Sequence, residues 1–256
     1  MLLAVDIGNT HIVIGLLDGS GKVRSSWRLA GQTQKTEDEY GFLLQLMLQH
    51  AGITKQELAG GVIASVVPPL TPVFEKAMRV YLGINPLVVG PGTRTGVNIK
   101  YENPKEVGPD RIANAVAAYH KYGGPVIVVD FGTATTFDAI SENGDYMGGA
   151  IAPGIMTATD ALFAKAARLP RIELVRPPQA IGRTTVQSMQ SGIIFGFAGQ
   201  TDALVKRIAA ELGGSPRVVA TGGHAQLVAS ESETITDVDP TLTLEGLHLI
   251  HKMNYR

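Results

Sequence analysis

The first fifty residues alternate short apolar runs with glycine-containing turns. Leu2–Val5 and His11–Leu17 are rich in aliphatic and β-branched residues, and Lys22–Leu29 alternates apolar with polar positions. The second and third runs are joined by Asp18–Gly21, which is typical of a tight hairpin turn. The pattern predicts an antiparallel meander of three strands.

A helical period follows the meander. Thr36 and Glu39 have the spacing of a capping box, and apolar residues then recur at intervals of three and four from Tyr40 until Gly52. The next predicted elements are a buried strand over Gly61–Val67, a helix over Thr71–Leu82 and a short strand over Pro86–Val89. The predicted order is therefore βββαβαβ.

The start of the chain is repeated in its second half. Ile127–Gly132 has the same pattern as Leu3–Gly8, and a second β-rich run again leads to a turn, Glu142–Asp145. A helix over Pro109–Lys121 would bridge the copies. Downstream we predict helices over Ala158–Ala167, Thr185–Leu212 and Leu242–Lys252, and a strand over Arg217–Ala220. We therefore expect an α/β protein of two similar domains, residues 1–115 and 116–256, with a central cleft.

Composition narrows the class of protein. The 256 residues include no cysteine, which excludes disulfides, thiol catalysis and thiolate metal sites and agrees with a reducing cytoplasm. Lys and Arg number 22 against 23 Asp and Glu, without a basic cluster, so neither nucleic acid nor a membrane is an expected partner.

The start MLLAVDIG lacks the basic leader of a signal peptide, and no apolar run reaches about 18 residues. We expect a cytoplasmic protein.

Two strand ends carry an acid followed by glycine and small polar residues. They are Asp6-Ile7-Gly8-Asn9-Thr10 and Asp130-Phe131-Gly132-Thr133, at matching places in the two copies. Glycine lets a hairpin backbone approach phosphate oxygens, its neighbours supply N–H and O–H donors, and the carboxylate can hold a hydrated cation. One copy alone is more typical of an ordinary turn with an Asx hydrogen bond, but the duplication favours a phosphate site.

Other nucleotide and catalytic motifs are absent from the sequence. It contains no P-loop, no dinucleotide fingerprint, no HExxH and no GxSxG. A third glycine-rich strand end, Val218–His224, is where an adenosine could lie, and it is equally typical of the entry to a helix. His11, His120 and His224 lack metal-ligand spacing, so we interpret them as structural or surface residues.

Many short motifs occur in one order along the chain. They are Asp6–Thr10, Lys35–Tyr40, Val88–Gly92, Tyr101–Pro104, Gly108–Arg111, Val129–Thr136, Met147–Gly149, Pro153–Ile155 and Met189–Gly192. Together they resemble type III pantothenate kinase over nearly the whole chain. The resemblance implies a duplicated RNase H-like fold of the acetate and sugar kinase, Hsp70 and actin class. It also implies ATP-dependent phosphorylation of pantothenate to 4′-phosphopantothenate in coenzyme A biosynthesis, a homodimer, and a monovalent cation, K⁺ or NH₄⁺.

The resemblance also implies residue roles. Asp110 would be the catalytic base, although an acid in a helix first turn often serves only the helix dipole, which would lower its pKa. Pantothenate would contact Tyr101, Gly108, Pro109, Asp110, Arg111 and, from the other subunit, Thr185. ATP would contact Asp6, Ile7, Gly8, Asn9, Thr10, His11, Ile12, Val13 and Thr133. Asp130 would hold the monovalent cation, and Asp6 would face Mg²⁺ bound with ATP.

Several of these residues have an ordinary alternative interpretation. Arg111 could be a surface arginine, and Tyr101 could be a core or turn residue. The sequence alone predicts Thr185 as an N-cap. Pro109 stands where many members of the family have alanine, and proline suits the first turn of a helix.

Two alternative functions belong to other classes. A kinase of the same fold that phosphorylates another small acceptor would keep both hairpins. A non-catalytic regulator, such as a transcription accessory factor, would not need Asp6, Asp110, Arg111 and Asp130 together, and the chain shows no basic DNA-binding face.

One helix is expected to carry the dimer interface. Charged residues form only 18% of the chain. The stretch Thr184–Ala203 has few charges and clusters Ile193, Ile194, Phe195 and Phe197. This apolar surplus predicts an isologous contact between two copies of the helix.

Overall fold

A computed structural model describes residues 1–166 and 169–255. The chain divides into two compact units, Met1–Ala117 with Thr241–Arg256, and Ala118–Pro240. Each unit contains one mixed five-stranded sheet. Among the described residues, no helix has both the length and the apolar character needed to cross a membrane.

Strands and helices follow the order that the sequence predicts. The strands are β1 Leu2–Ile7, β2 His11–Leu17, β3 Val23–Ala30, β4 Gly60–Ser65, β5 Leu87–Val88, β6 Val126–Phe131, β7 Ala134–Ile140, β8 Tyr146–Pro153, β9 Arg217–Thr221 and β10 Asp237–Val238. The α-helices are α1 Glu37–His50, α2 Thr71–Ala77, α3 Pro109–Tyr122, α4 Ile155–Lys165, α5 Thr185–Leu212, α6 Ala225–Ala229 and α7 Leu242–Asn254.

The two sheets have the same topology. The strand order is β3-β2-β1-β4-β5 in the first sheet and β8-β7-β6-β9-β10 in the second. In each sheet the first strand in sequence pairs antiparallel with the next and parallel with the fourth. The duplication predicted from the repeated sequence is therefore confirmed.

The first sheet packs one apolar face against α1 and α2. Val5 and Ile7 of β1 are buried there together with Tyr40 of α1. α1 begins with the predicted capping box, because Thr36 Oγ1 accepts from Glu39 N at 3.4 Å and the Glu39 carboxylate accepts from Thr36 N at 2.9 Å. Two otherwise unsatisfied backbone donors are bonded locally, which fixes the start of the helix.

Four helices differ from their predicted bounds, and two of them, α3 and α7, only by ending one and two residues later than predicted. The helix predicted over Thr71–Leu82 is α-helical in its first part (α2) and continues as a π-helical turn over Met78–Leu82. α4 begins at Ile155, before the predicted Ala158. The predicted last residue of α4, Ala167, lies outside the described residues.

The last helix groups with the first unit, whereas the sequence placed it in the C-terminal half, residues 116–256. α7 packs on β1, β2 and β4. Leu244 occupies the space beside Gly15, where a Cβ would lie 2.7 Å from Leu244 Cδ1. Gly15 pairs with Ala4 of β1, and Ala4 points to the opposite face from its neighbour Val5, which packs towards α1 and α2. α7 therefore covers the other face of the sheet. The apolar face of α7 therefore completes the first unit.

Candidate active site

The first hairpin joins β1 to β2 and has Asp6 at its base. Gly8 N donates to His11 O at 3.0 Å and closes a short loop. Asn9 and Thr10, in the middle of this loop, are exposed. The loop thus offers amide, hydroxyl and backbone groups to a ligand, as the sequence predicts for phosphate binding.

Gly31, the residue after β3, packs directly on the first hairpin. Its N–H donates to Thr10 O at 2.9 Å. A Cβ at Gly31 would lie 3.1 Å from Asn9 O and 3.2 Å from Gly8 O, which is tighter than most side chains tolerate. The absence of a side chain therefore lets the end of β3 support the loop.

The second hairpin, between β6 and β7, repeats this arrangement. Gly132 N donates to Ala134 O at 3.0 Å, and Gly154, after β8, donates its N–H to Thr133 O at 3.1 Å. A Cβ on Gly154 would overlap Thr133 O and Gly132 O. Thr157 Oγ1 also donates to Thr133 O, at 2.7 Å. In both copies, the glycine after the third strand holds the hairpin.

Asp130 lies beside the glycine-rich end of β9. It is paired with Thr221, and Gly222 follows with a φ of +91°. A Cβ at Gly222 would be 2.5 Å from Asp130 Oδ1 and 2.7 Å from Phe131 N, so only glycine allows the end of β9 to approach the second hairpin this closely. The same segment is also the entry to α6, which begins at Ala225.

Asp110 lies in the first turn of α3, within the same unit as the first hairpin. Its Oδ1 accepts from Arg111 N at 2.8 Å. The same oxygen occupies the space that a Cβ on Gly108 would need, and that position is 3.4 Å from Val66 Cγ1. Val66 N donates to Ile7 O at 3.0 Å. The Asp110 carboxyl group is therefore packed beside the end of β1, where the first hairpin begins.

Burial raises the pKa of the Asp110 carboxyl group above its ordinary value. The Arg111 N–H and the Arg111 charge act in the opposite direction but do not outweigh desolvation. The expectation that the helix dipole would lower this pKa is therefore wrong, because desolvation of the half-buried carboxyl group has the larger effect. A raised pKa brings a carboxylate closer to the range in which it works as a general base.

The other residues predicted around Asp110 are in the same segment of the first unit. Arg111 is only 8% exposed, so it is not an ordinary surface arginine. Tyr101 is half-buried in the loop that precedes α3. Pro109 is the first residue of α3, where its missing N–H leaves no helical hydrogen bond unmade.

Thr185 lies elsewhere, in the second unit, at the start of α5. The expectation that it caps the helix is wrong, because Thr184 Oγ1 accepts from Gln187 N at 3.2 Å and forms the cap. Thr185 instead lines an open cavity of about 520 Å³ between α4 and α5. Most of this lining is apolar, and its polar members are Thr159, Thr185 and Ser188.

Comparison with known proteins identifies the family. A family described as type III pantothenate kinase matches residues 2–207. A type III pantothenate kinase from Moorella thermoacetica is 57% identical over 254 residues, 99% of this chain and 100% of that protein. Another from Geobacillus kaustophilus is 52% identical over 254 residues, 99% of this chain and 98% of that protein. The chain belongs to the type III pantothenate kinase family.

Solved structures share the fold of this type III pantothenate kinase. A putative Baf family transcriptional activator from Campylobacter jejuni has a TM-score of 0.61 at 22% identity over 98% of each chain. The activator of 2-hydroxyisocaproyl-CoA dehydratase from Clostridium difficile has a TM-score of 0.59 at 14% identity, over 99% of this chain and 95% of that chain. At these identities the likeness concerns the fold alone, and it confirms the predicted duplicated RNase H-like class.

Three residues that shape the candidate site of this kinase were given no role from the sequence, although Gly154 lies within the motif Pro153–Ile155. They are Gly31, Gly154 and Val66, which are close neighbours of the two hairpins and of Gly108. For the two glycines a signal was present, since each follows directly the third strand of its copy. Val66 gave no such signal, because a valine after a buried strand is ordinary.

Proposed function

We propose that this kinase transfers the γ-phosphoryl group of ATP to pantothenate and forms 4′-phosphopantothenate, the first step of coenzyme A biosynthesis. The supporting observation is the half-buried Asp110 carboxyl group beside the end of β1, in a chain whose relatives are named type III pantothenate kinases. ATP and pantothenate are its two substrates. The proposed location is the cytoplasm, where ATP is available.

The first hairpin is proposed to bind the ATP phosphates. The segment from Asp6 to Val13 contributes the backbone donors around Gly8 and the exposed side chains of Asn9 and Thr10. His11, Ile12 and Val13 continue the contact along β2. In the second hairpin, Thr133 is exposed and would donate to a phosphate through its hydroxyl group.

Asp110 is proposed to orient the pantothenate hydroxyl group and accept its proton. The loose transition state of phosphoryl transfer develops little charge on the attacking oxygen, so positioning matters more than strong basicity. Arg111 would pair with the pantothenate carboxylate through its guanidinium fork. Tyr101, Gly108 and Pro109 would pack along the rest of the substrate.

Two carboxylates are proposed to serve different cations. Asp6 would face Mg²⁺ carried by ATP, and Asp130 would hold K⁺ or NH₄⁺. The support for the second ion is the position of the Asp130 carboxylate at the base of the second hairpin, next to the end of β9. Each cation, when bound, supplies positive charge that offsets the phosphate charge. Among residues 1–166 and 169–255, no group of three His, Asp or Glu forms a ready-made metal cluster.

A coupled assay tests the function. The purified chain is given ATP and pantothenate, with and without K⁺, and then a panel of other small alcohols and acetate. Turnover of pantothenate alone is the expected result. Preference for another acceptor would favour a different kinase of this fold, and no transfer to any acceptor would favour the non-catalytic regulator.

A homodimer built on α5 is also proposed, but on a different surface from the predicted one. Ile193 and Ile194 are buried within their own chain, at 8% and 2% exposure, and therefore supply no surplus apolar surface. The exposed face instead carries Gly192, Gly196 and Gly199, and a Cβ on any of them would meet no atom within 4 Å. Glycine inside a helix costs about 1 kcal/mol relative to alanine, and close approach by a second helix would compensate for it.

In such a dimer Thr185 of one subunit would reach the pantothenate site of the other. Mixing Asp110→Asn subunits with Thr185→Arg subunits would then restore activity, because each heterodimer has one site in which both residues are intact. Subunit exchange is first verified by mass spectrometry. Exchanged heterodimers without activity, or an active monomer in light scattering, would exclude the composite site.

A further inference from the structure

One row of residues crosses the first sheet at the phosphate hairpin. Asp6 of β1 pairs with Val13 of β2, and Val13 pairs with Arg28 of β3. Directly paired residues of neighbouring strands point to the same face of a sheet, so the Asp6 and Arg28 side chains are on one face. Strands lie about 4.8 Å apart, which places the two α-carbons roughly 10 Å apart across Val13.

α7 covers only part of this face. Gly15 lies two residues beyond Val13 on the same face and is covered by Leu244. Asp6 and Val13 are half-buried, and Arg28 is exposed. A ligand bound above Val13 would therefore have a carboxylate on one side and a guanidinium group on the other.

The first hairpin has no basic side chain of its own to balance the charge of the ATP phosphates. Residues 6–13 contain no lysine or arginine, although ATP carries several negative charges. On the same strand, Arg24 is already paired with Asp18, with Nη2 and Oδ2 2.6 Å apart. Within residues 1–166 and 169–255, Arg28 has no comparable ion pair.

The second copy of the fold provides an internal comparison. In its sheet the equivalent row is Asp130, Thr136 and Ile151. An exposed isoleucine, at 64% exposure, thus stands in the second copy where Arg28 stands in the first. The shared fold does not require a basic side chain at this strand position, since the position is apolar in one copy and basic in the other.

We propose that Arg28 is a phosphate-binding residue, which contacts the phosphate tail of ATP from the side opposite to Asp6. The inference rests on the proposed function of the first hairpin. The row Asp6–Val13–Arg28 would suit an anion that carries a divalent cation, because the carboxylate faces the metal and the guanidinium group faces phosphate oxygens.

The test compares Arg28→Gln and Arg28→Lys with Arg24→Gln as the matched control on the same strand. Binding of MgATP and MgADP is measured by calorimetry, and KM values are measured for ATP and pantothenate. Arg28→Gln should weaken nucleotide binding by about 10- to 100-fold, as expected for one charge-assisted contact. Arg28→Lys should recover part of the loss, and Arg24→Gln should bind nucleotide like the parent. Fluorescence of Trp27, the only tryptophan, reports whether each variant is folded.

Two results would overturn the inference. Unchanged nucleotide binding by folded Arg28→Gln would make Arg28 a solvated charge of an edge strand. A rise confined to the KM for pantothenate would assign the guanidinium group to the acceptor carboxylate. Failure of the proposed function looks different, because the parent chain itself would then not phosphorylate pantothenate. The calorimetric comparison would still decide the role of Arg28 in nucleotide binding.

Discussion

Replacing Asp110 by asparagine separates chemistry from stability at one position. The new amide oxygen can still accept the hydrogen bond that Arg111 N donates to Asp110 Oδ1 at 2.8 Å. The variant keeps the shape of the first turn of α3 but cannot accept the substrate proton. Loss of a positioned general base lowers turnover by about 10²- to 10⁴-fold. This corresponds to roughly 3 to 5.5 kcal/mol of transition-state stabilisation.

Stability should change in the opposite direction. Because burial raises the pKa of Asp110, the folded chain binds this proton more readily than the unfolded chain does. Ionisation of Asp110 therefore opposes folding at pH values above its folded pKa. We expect Asp110→Asn to be at least as stable as the parent at neutral pH. The difference in stability between Asp110→Asn and the parent should disappear below pH 3.8, the ordinary pKa, where Asp110 is protonated in both the folded and the unfolded parent chain.

Steady-state kinetics and thermal unfolding, each measured against pH, check both expectations. The acidic limb of the parent kcat profile should lie above the ordinary range of an aspartate, and it should be absent in the residual activity of Asp110→Asn. Asp110→Ala is the control for the hydrogen bond, since it removes the acceptor as well as the charge. Turnover of Asp110→Asn within a few-fold of the parent would refute the catalytic role and leave Asp110 as a first-turn acid.

Three further predictions concern the cations, the second hairpin and pH. Asp130→Ala should abolish stimulation by K⁺ or NH₄⁺, whereas Asp6→Ala should impair use of Mg²⁺ and ATP; equal losses in both titrations would contradict separate roles. Gly154→Ala should lower the free energy of unfolding by about 1 to 3 kcal/mol, because its methyl group would overlap hairpin carbonyl oxygens. Gly19→Ala, with no atom within 4 Å, is the control, and equal denaturation midpoints would disprove the clash. Burial lowers the pKa of His248, so the unfolded chain takes up this proton first and stability should decline as pH falls through 6.5. His248→Gln should reduce that decline, and an unchanged pH dependence of the unfolding midpoint would contradict it.

Local patterns in the sequence predicted the elements and the duplication well. The capping box at Thr36 and Glu39 fixes the start of α1 through bonds between neighbouring residues, so two residues three positions apart suffice to recognise it. The repeated acid-x-Gly segments mark the ends of β1 and β6 in both copies. These features depend on backbone geometry within a few residues, which the order of residues encodes directly.

Two of the wrong expectations concerned burial. The dipole of α3 predicted a low pKa for Asp110, but desolvation of its carboxyl group raises it. Ile193 and Ile194 read as surplus apolar surface, yet both are buried within their own chain, Ile193 in the core of the second unit. In each case the neighbours are distant in sequence or belong to another element. A periodic pattern identifies an apolar face but does not name what covers it.

The sequence by itself therefore determined the order of elements, the duplication and, through its motifs, the family. The tertiary structure decided which groups meet. Parallel pairing of β1 with β4 places Val66 beside Ile7, and the start of α3 then puts Asp110 next to the first hairpin. Strand register places Arg28 in a row with Asp6 across β2, a neighbour relation that no local pattern contains. The physical reason is that hydrogen-bond periods act over a few residues, whereas desolvation and charge proximity depend on contacts that form only when distant segments pack.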